Sequence, residues 1–288
     1  MKLVTIPKKS GGKRIICVQG PHEKHKYRYI GYKLARFYEK HTPDQNICHG
    51  FVEGRSPISN ARQHLNKQFS LSLDLKDFFD TVNSDLLFKA GVNNVLANDA
   101  CYLGTTKQGL SSSPAAANCA ALPMDKKILE IIWQKNIVYT RYADDLTFSS
   151  DNLQDLLILR DDKLPPLIKE CGFSINDKKT RIQSAKFGRR IITGVAVDND
   201  IYPTKKQRKT LRAAKYNVGE LVKLLSFLLW TNQLMIFSLL LETNRKMISR
   251  FVGLREWCKL KPPTKKAEGK LIRTGVAIET ERAFAMMG

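Results

Sequence analysis

The stretch IVYTRYADDLTFSS, residues 137–150, decides how the rest of the chain is read. Two aspartates, Asp144 and Asp145, stand side by side between two runs rich in β-branched and aromatic residues. Such side chains suit a pleated, half-buried surface, so the runs read as strands and the pair as their hairpin corner. Adjacent carboxylates repel each other, and the one basic residue in the stretch is Arg141. A corner of this kind is either a solvated turn, where Asp is common, or the place of a cation.

A third aspartate narrows the choice. FSLSLDLKDFFDTV (69–82) begins with alternating Leu71, Leu73 and Leu75, the period of a strand, and turns near Lys76. Asp74 thus ends an apolar strand beside Phe78 and Phe79, where a carboxylate is poorly solvated unless it coordinates something. Three carboxylates with no His or Cys spaced beside them are hard oxygen ligands, which select Mg²⁺ or Mn²⁺ over zinc. Two such ions about 4 Å apart serve in-line phosphoryl transfer, one acidifying an attacking 3′-hydroxyl and the other holding the triphosphate and the leaving pyrophosphate.

Charge points to the same class of partner. The 288 residues carry +21, and from Ile201 onward 18 Lys and Arg stand against 6 Glu and no Asp, so that segment supplies +12. An excess of this size opposes compaction and calls for a polyanion, most often nucleic acid. A hydrophobic fraction of 43% excludes a disordered chain. Six cysteines (Cys17, Cys48, Cys101, Cys119, Cys171, Cys258) form no C-x-x-C pair, which argues against zinc or a disulfide framework and for reduced thiols in a cytoplasm. MKLVTIPKKSGGKR at the start holds no apolar core of signal-peptide length. Residues 224–241 run for 18 positions without a charge, which meets the length of a membrane span. Thr231, Asn232 and Gln233 lie at the middle of that run, where polar side chains are most costly; they read instead as a turn between two short buried helices, with no membrane partner.

Along the chain, IPKKSGGKRIICV (6–18) reads as a basic hairpin and 22–40 as a helix with Tyr27, Ile30, Leu34 and Phe37 on one face. Pro114, after three serines, opens a single helix through AAANCAALPMDKKILEII, capped by serine. The 137–150 hairpin is followed by a helix at about 152–171, a strand region FSINDKKTRI, one strand at 189–197, and basic helices from 203 to a Pro/Lys-rich linker at 261–270. The fold class is α+β, an antiparallel sheet with helices and an attached helical part.

These motifs, in this order, resemble a reverse transcriptase over about residues 6–198. LDLKDFFD resembles the element carrying the first catalytic aspartate, QGLSSSP (108–114) the nucleotide- and template-positioning turn, and YADD (142–145) the catalytic hairpin. GFSINDKKT (172–180) is similar to the N-x-x-K-T element and RRIITG to the strand after it. Five ordered motifs carry far more weight than one A-D-D. Asn60-Ala61-Arg62-Gln63-His64 is similar to the N-A-x-x-H signature of bacterial retron reverse transcriptases, and Ile192-Thr193-Gly194 to their V-T-G, with Ile for Val. The lack of maturase and endonuclease extensions points the same way.

The resemblance implies a right-hand polymerase: fingers at 1–68 with an RNA-contact segment near 49–64, a catalytic palm at 69–198, and a helical thumb and tail at 199–288. It implies Asp74, Asp144 and Asp145 as catalytic metal ligands, with the Leu75 carbonyl beside them. It makes Phe79 the steric gate under the sugar, with Phe78 an ordinary core aromatic. Lys9, Lys13 and Arg14 would neutralise the triphosphate, a solvated charge run being the other reading of Lys9. Asp77, Gln108 and Gly109 would meet the nucleotide, Gly109 because a Cβ would obstruct its approach. Lys179, or its neighbour Lys178, would protonate pyrophosphate. Asn60 and His64 have two readings, RNA contact or buried hydrogen-bonded residue. Arg189 and Arg190, with Lys205, Lys206, Arg208, Lys209, Arg212 and Lys215 of the thumb, would grip RNA and RNA–DNA duplex by shape and phosphate.

By the same resemblance the cofactor is two Mg²⁺ ions, or Mn²⁺. The partners are dNTPs, a structured noncoding RNA primed from a guanosine 2′-hydroxyl, its branched RNA–DNA product (msDNA), and a separate effector protein in anti-phage defence, since no effector domain is evident in the chain. The rival readings are a stand-alone intron-type or abortive-infection reverse transcriptase, and a scaffold that binds RNA–DNA while synthesis is incidental.

Overall fold

Alternation and turn chemistry build most of what surrounds the three aspartates. The computed structural model describes residues 1–7 and 12–230, and the chain divides into two units, Met1–Tyr202 and Pro203–Gly288. Lys9, the 231–233 turn, the 261–270 linker and the tail after it lie outside the described residues.

In the first unit, β1 (Lys2–Pro7) and β2 (Lys13–Val18) pair antiparallel as the expected basic hairpin. The α1 helix (Pro21–His41) starts with Pro at its first turn, where a missing N–H costs nothing, and buries Tyr27, Ile30, Gly31, Leu34 and Tyr38. After it come α2 (Pro57–Arg62), whose Ser56 and Ser59 form a reciprocal capping box, and β3 (Phe69–Asp74). Three short helices follow, α3 (Phe78–Thr81), α4 (Ser84–Lys89) and α5 (Asn94–Asp99), the last two capped by Asn83 and Asn93.

The helix expected from Pro114 onward is two helices, α6 (Ser113–Ala120) and α7 (Leu122–Ile132). Pro123 has no N–H to offer Cys119 and breaks the ladder there. Ser112 stands at the N-cap position but caps nothing; its hydroxyl donates to the Ala100 carbonyl at 3.2 Å.

Next, β4 (Ile137–Tyr142) and β5 (Asp145–Ser150) form the hairpin. The helix over about 152–171 is α8 (Leu153–Ile158) and α9 (Leu164–Glu170), joined by a π-helical turn at Leu159–Lys163. Pro165 and Pro166 cannot donate to the preceding turn, so the Leu164 N–H bonds Leu159 and widens the helix. Of the strand region 173–182 only β6 (Arg181–Ser184) is extended, after a 3₁₀ turn at Asp177–Lys179. The single strand expected at 189–197 is a hairpin of β7 (Arg190–Ile192) and β8 (Val195–Val197), with β9 (Ile201–Tyr202) alongside. Its turn residues Thr193 and Gly194 have φ of 46° and 78°, both positive as a tight hairpin turn requires.

The central sheet is antiparallel in the order β4-β5-β3-β6. Leu71, Leu73, Leu146 and Phe148 fill its core, and helices α6, α7, α8 and α9 supply further buried residues to the same cluster. In the second unit α10 spans Lys205–Trp230. No helix among the described residues is long and apolar enough to cross a membrane.

Candidate active site

Register brings the acids together. Asp74, the last residue of β3, is paired directly with Asp145, the first of β5, and Tyr142 of β4 pairs with Asp145 on its other side. Asp144 lies in the β4–β5 turn, where its carbonyl accepts the Leu75 N–H at 2.9 Å. All three line one cleft of about 560 Å³, with Ser72, Leu73, Lys178, Lys179, Thr180 and Arg181.

The cleft crowds three carboxylates into a partly buried space. Burial, with the charge of Asp74 added, lifts the Asp144 carboxyl above its usual range. Asp145 opens to solvent on one side, yet partial burial and then Asp144 and Asp74 push it up to about 6. Asp74 has a counter-ion: the Lys179 ammonium stands 2.8 and 2.9 Å from its two oxygens, and the Asn176 amide donates to one of them at 3.2 Å. That bond raises the Lys179 pKa.

Among the described residues no three His, Cys, Asp or Glu side chains form a ready-made metal cage. The donor set nevertheless fits a hard divalent cation, being all carboxylate oxygen with two members disfavoured as free anions. The ladder bonds beside Leu75 use the Asp74 carbonyl and the Lys76 N–H, so the Leu75 carbonyl takes no part in that bridge.

Arg141 is not the partner of Asp144 and Asp145. It is fully buried under the turn, with Nε 3.1 Å from both Asp125 oxygens and its terminal nitrogens donating to Asp125 at 2.8 Å, Asn118 at 2.9 Å and the Ala143 carbonyl at 3.3 Å. The backbone of Arg141 also exchanges bonds with Ile47 and His49. Those residues lead to Gly50, where a Cβ would collide with the Ala143 backbone; only glycine lets this segment lie under the catalytic turn. Ala143 itself has φ 58°, a costly conformation for a residue with a Cβ. Sequence reasoning missed Gly50, Asn118 and Asp125. The available signal was Arg141 itself, a charge at the same parity as Tyr139 on an apolar strand, which demands a buried partner.

Around the nucleotide-binding candidates, Phe78 is buried and packs on Phe173, while Phe79 is half-buried between Phe78 and Phe51, with ring centroids 5.8 and 5.9 Å away. Phe51 was not foreseen; it is exposed and held at φ 61°. Asp77 is exposed in a left-handed turn. Lys13 and Arg14 are exposed on β2, and the Arg14 charge acts on Asp144. Gly109 (φ 96°) is required for a reason other than the one expected: a Cβ would collide with the Cys17 carbonyl of β2. The Gln108 carbonyl accepts the Cys17 N–H at 2.7 Å, and Ser111 bonds the Gln19 side chain at 2.8 and 2.9 Å, so this loop is clamped to the strand of the basic hairpin.

The RNA-contact set divides. Asn60 and His64 are buried, the second of their two readings, and Arg190 is buried too, a correction to its expected RNA contact. Instead Asn60 donates to Thr193 at 3.4 Å, Thr193 to the Pro57 carbonyl at 3.2 Å, and Arg190 to the His64 carbonyl at 2.7 Å. The two signature segments are thus one interior joint. The His64 ring nitrogens lie 2.6 and 2.7 Å from the Ser149 and Thr140 hydroxyls, tying the turn after α2 to the catalytic sheet. Arg189 is exposed with its guanidinium 3.5 Å from the Tyr202 ring centre. Lys205, Lys206, Arg208, Lys209, Arg212 and Lys215 are all exposed on α10, and Lys205, Arg208, Lys209 and Arg212 share one face.

Burial, then the Arg190 charge, holds the His64 imidazole down to about 3. The unfolded chain takes up that proton near pH 6.5, so this stability is full above pH 6.5 and drains as pH falls towards 3. By pH 5 the expected loss is about 2 kcal/mol. Urea denaturation at pH 8 and pH 5 tests it: His64→Gln should shrink the pH difference by that amount, and an unchanged difference would refute the assignment.

Comparison with known proteins adds the following. The family model for reverse transcriptase (RNA-dependent DNA polymerase) matches residues 6–211. Retron Ec83 reverse transcriptase of Escherichia coli is 32% identical over 220 residues, covering 69% of each chain. Retron Mx65 reverse transcriptase of Myxococcus xanthus is 31% identical over 234 residues, covering 72% of this chain and 53% of the relative. In fold the chain is similar to Candida albicans telomerase solved in complex with a fragment of telomeric RNA, with TM-score 0.52, 12% identity, and 87% of this chain and 54% of that chain covered. Apo telomerase from Candida tropicalis superposes with TM-score 0.51 at 16% identity, covering 70% of this chain and 54% of that one. The chain therefore spans about half the length of the Myxococcus relative and of both telomerases.

Proposed function

Since this chain belongs to the bacterial retron reverse transcriptases, we propose that it is an RNA-directed DNA polymerase that copies part of a structured noncoding RNA into branched single-stranded DNA, primed from an RNA 2′-hydroxyl. The observation that carries the reading is the pairing of Asp74 with Asp145 beside Asp144 in one cleft, with two of the three carboxyls lifted by burial and by their acidic neighbours.

Asp74, Asp144 and Asp145 would hold Mg²⁺, or Mn²⁺ in its place. Bound there, the metal supplies charge neutralisation to the attacking hydroxyl and the departing pyrophosphate. Lys179, which bonds both Asp74 oxygens, would be freed by the metal to meet pyrophosphate and give it a proton. Arg14, and Lys13 beside it, would take the triphosphate. The Phe79 ring, propped by Phe78 and Phe51, would lie under the sugar and leave no room for a 2′-hydroxyl. The basic face of α10 would hold the duplex by its phosphates. In the cell we place the enzyme in the cytoplasm, with its RNA, its RNA–DNA product and a separate effector protein in anti-phage defence.

The test expresses the gene with its native flanking DNA and runs total nucleic acid on a denaturing gel, wild type beside Asp144→Asn. A small DNA present only in wild type, and shifted by both RNase and debranching enzyme, is the expected result. Absence of that DNA from cells whose soluble enzyme extends an ordinary primer would remove the 2′-primed synthesis and keep the polymerase.

A further inference from the structure

The outer face of α1 has no part in the cleft. The inner face is packed: Gly31 lies against the loop before α6, where a Cβ would stand 3.0 Å from the Ser111 carbonyl oxygen. Outward, His22, His25, Tyr29, Tyr32, Lys33 and Arg36 are all exposed. Tyr29 is 57% and Tyr32 59% exposed, high values for large rings in a folded helix. Each ring carries a cation, the Lys33 ammonium 4.5 Å from the centre of Tyr29 and the Arg36 guanidinium 5.8 Å from that of Tyr32.

Positions 25, 29, 32 and 36 recur at helical spacing, so the rings and cations form one stripe along the axis. The helix holds six Lys and Arg against two Glu. Glu23 meets the N-terminal amine at 3.2 Å, and Glu39 meets Arg36 at 3.0 Å in an exposed pair that a phosphate can replace; six cations against two carboxylates leave the helix basic. A basic surface interleaved with open aromatic rings is what single-stranded nucleic acid needs: rings to stack unpaired bases, cations to follow the phosphates. Protein interfaces are also rich in Tyr and Arg, but they are depleted in Lys, and α1 carries Lys24, Lys26, Lys33 and Lys40.

We propose that the outer face of α1 is a track for single-stranded nucleic acid, with bases stacked on Tyr29 and Tyr32 and phosphates met by Lys33 and Arg36. The proposal rests on the polymerase reading and gives the unpaired template or product strand a place outside the aspartate cleft.

The test titrates full-length wild type and Tyr29→Ala/Tyr32→Ala into fluorescein-labelled oligouridylate and oligothymidylate of about 20 nucleotides, and into a blunt RNA–DNA duplex, read by fluorescence anisotropy. The variant should lose at least about tenfold in affinity for single strands and less than about twofold for duplex. The two oligonucleotides separate an RNA track from a DNA track. Lys33→Gln/Arg36→Gln should flatten the salt dependence of single-strand binding, and it decides the matter should circular dichroism show the alanine variant unfolded. Wild-type single-strand affinity in the folded variants overturns the proposal, as does an equal loss for duplex. Loss of a protein contact with oligonucleotide affinity unchanged would assign the face to a protein instead. A wild type that binds single strands but extends no primer would remove the polymerase reading and leave the track standing.

Discussion

Asp145→Asn is expected to abolish primer extension, by about a thousandfold or more, while leaving the folded chain at least as stable as wild type. The activity loss follows from the role proposed for the side chain: a metal-bound carboxylate contributes several kcal/mol at a phosphoryl-transfer transition state, and each ~1.4 kcal/mol is tenfold in rate. The stability claim follows from electrostatics. In the folded chain this carboxyl is pushed up to about 6 by burial and by Asp144 and Asp74, against an ordinary value near 3.8. A raised carboxyl means that the folded state holds its proton more tightly, so stability falls as pH rises from about 4 through about 6. At pH 8 the penalty is fully present, and Asn removes it. Because solvent reaches the carboxyl and screens it, the gain is on the order of 1 kcal/mol. Thermal melts at pH 8 check the sign, and added Mg²⁺ should stabilise wild type more than the variant. A variant that melts well below wild type would place Asp145 in a structural role instead.

The largest expected effect on stability belongs to a residue remote in sequence from the YADD motif. Asp125→Ala leaves the Arg141 guanidinium fully buried with its carboxylate partner gone, and the three donor contacts to Asp125 are lost together with the bond from the Tyr139 hydroxyl. Breaking one side of a buried ion pair costs about 3–5 kcal/mol, a large share of the ~5–15 kcal/mol that holds a domain folded. The double variant Asp125→Ala/Arg141→Met removes the stranded charge and should recover much of the loss. Urea denaturation of the single and double variants separates the cases. Equal destabilisation would mean that the pair is not what holds the turn. Since Arg141 also grips the Ala143 carbonyl, the recovered double variant should still extend primers poorly.

These two residues mark where sequence reading succeeds and where it stops. Asp74, Asp144 and Asp145 were legible because Asp74 ends an alternating apolar run, the other two share a hairpin corner, and the motif order joins them; antiparallel pairing then carries Asp74 onto Asp145. Asp125 was not legible: within PMDKK it looks like an ordinary first-turn helix acid, and its contact with Arg141 exists only once α7 packs behind β4. Gly50 was hidden for the same reason, and so was the packing demand on Gly109. Each glycine is demanded by the backbone of another element, Ala143 for one and Cys17 for the other. Asn60 and His64 could be read two ways, and the structure takes the buried one. Polar signature residues suggest a ligand, but the Ser149 and Thr140 hydroxyls take both His64 ring nitrogens and Thr193 takes the Asn60 amide nitrogen. The helix break at Pro123 and the hairpin at Thr193-Gly194 were within reach of turn chemistry and went unread because longer periodic runs dominated.

The central claim is that the three-aspartate cleft copies RNA into DNA with a divalent cation, and one assay bears on it most directly. Purified chain is given a DNA primer annealed to an RNA template with dNTPs, in Mg²⁺ and in EDTA, beside Asp74→Asn. Wild type should extend the primer fully in Mg²⁺ and not at all in EDTA, and the variant should extend it in neither. Folded, template-bound wild type that leaves the primer unextended would contradict it, as would extension that survives chelation or the loss of Asp74.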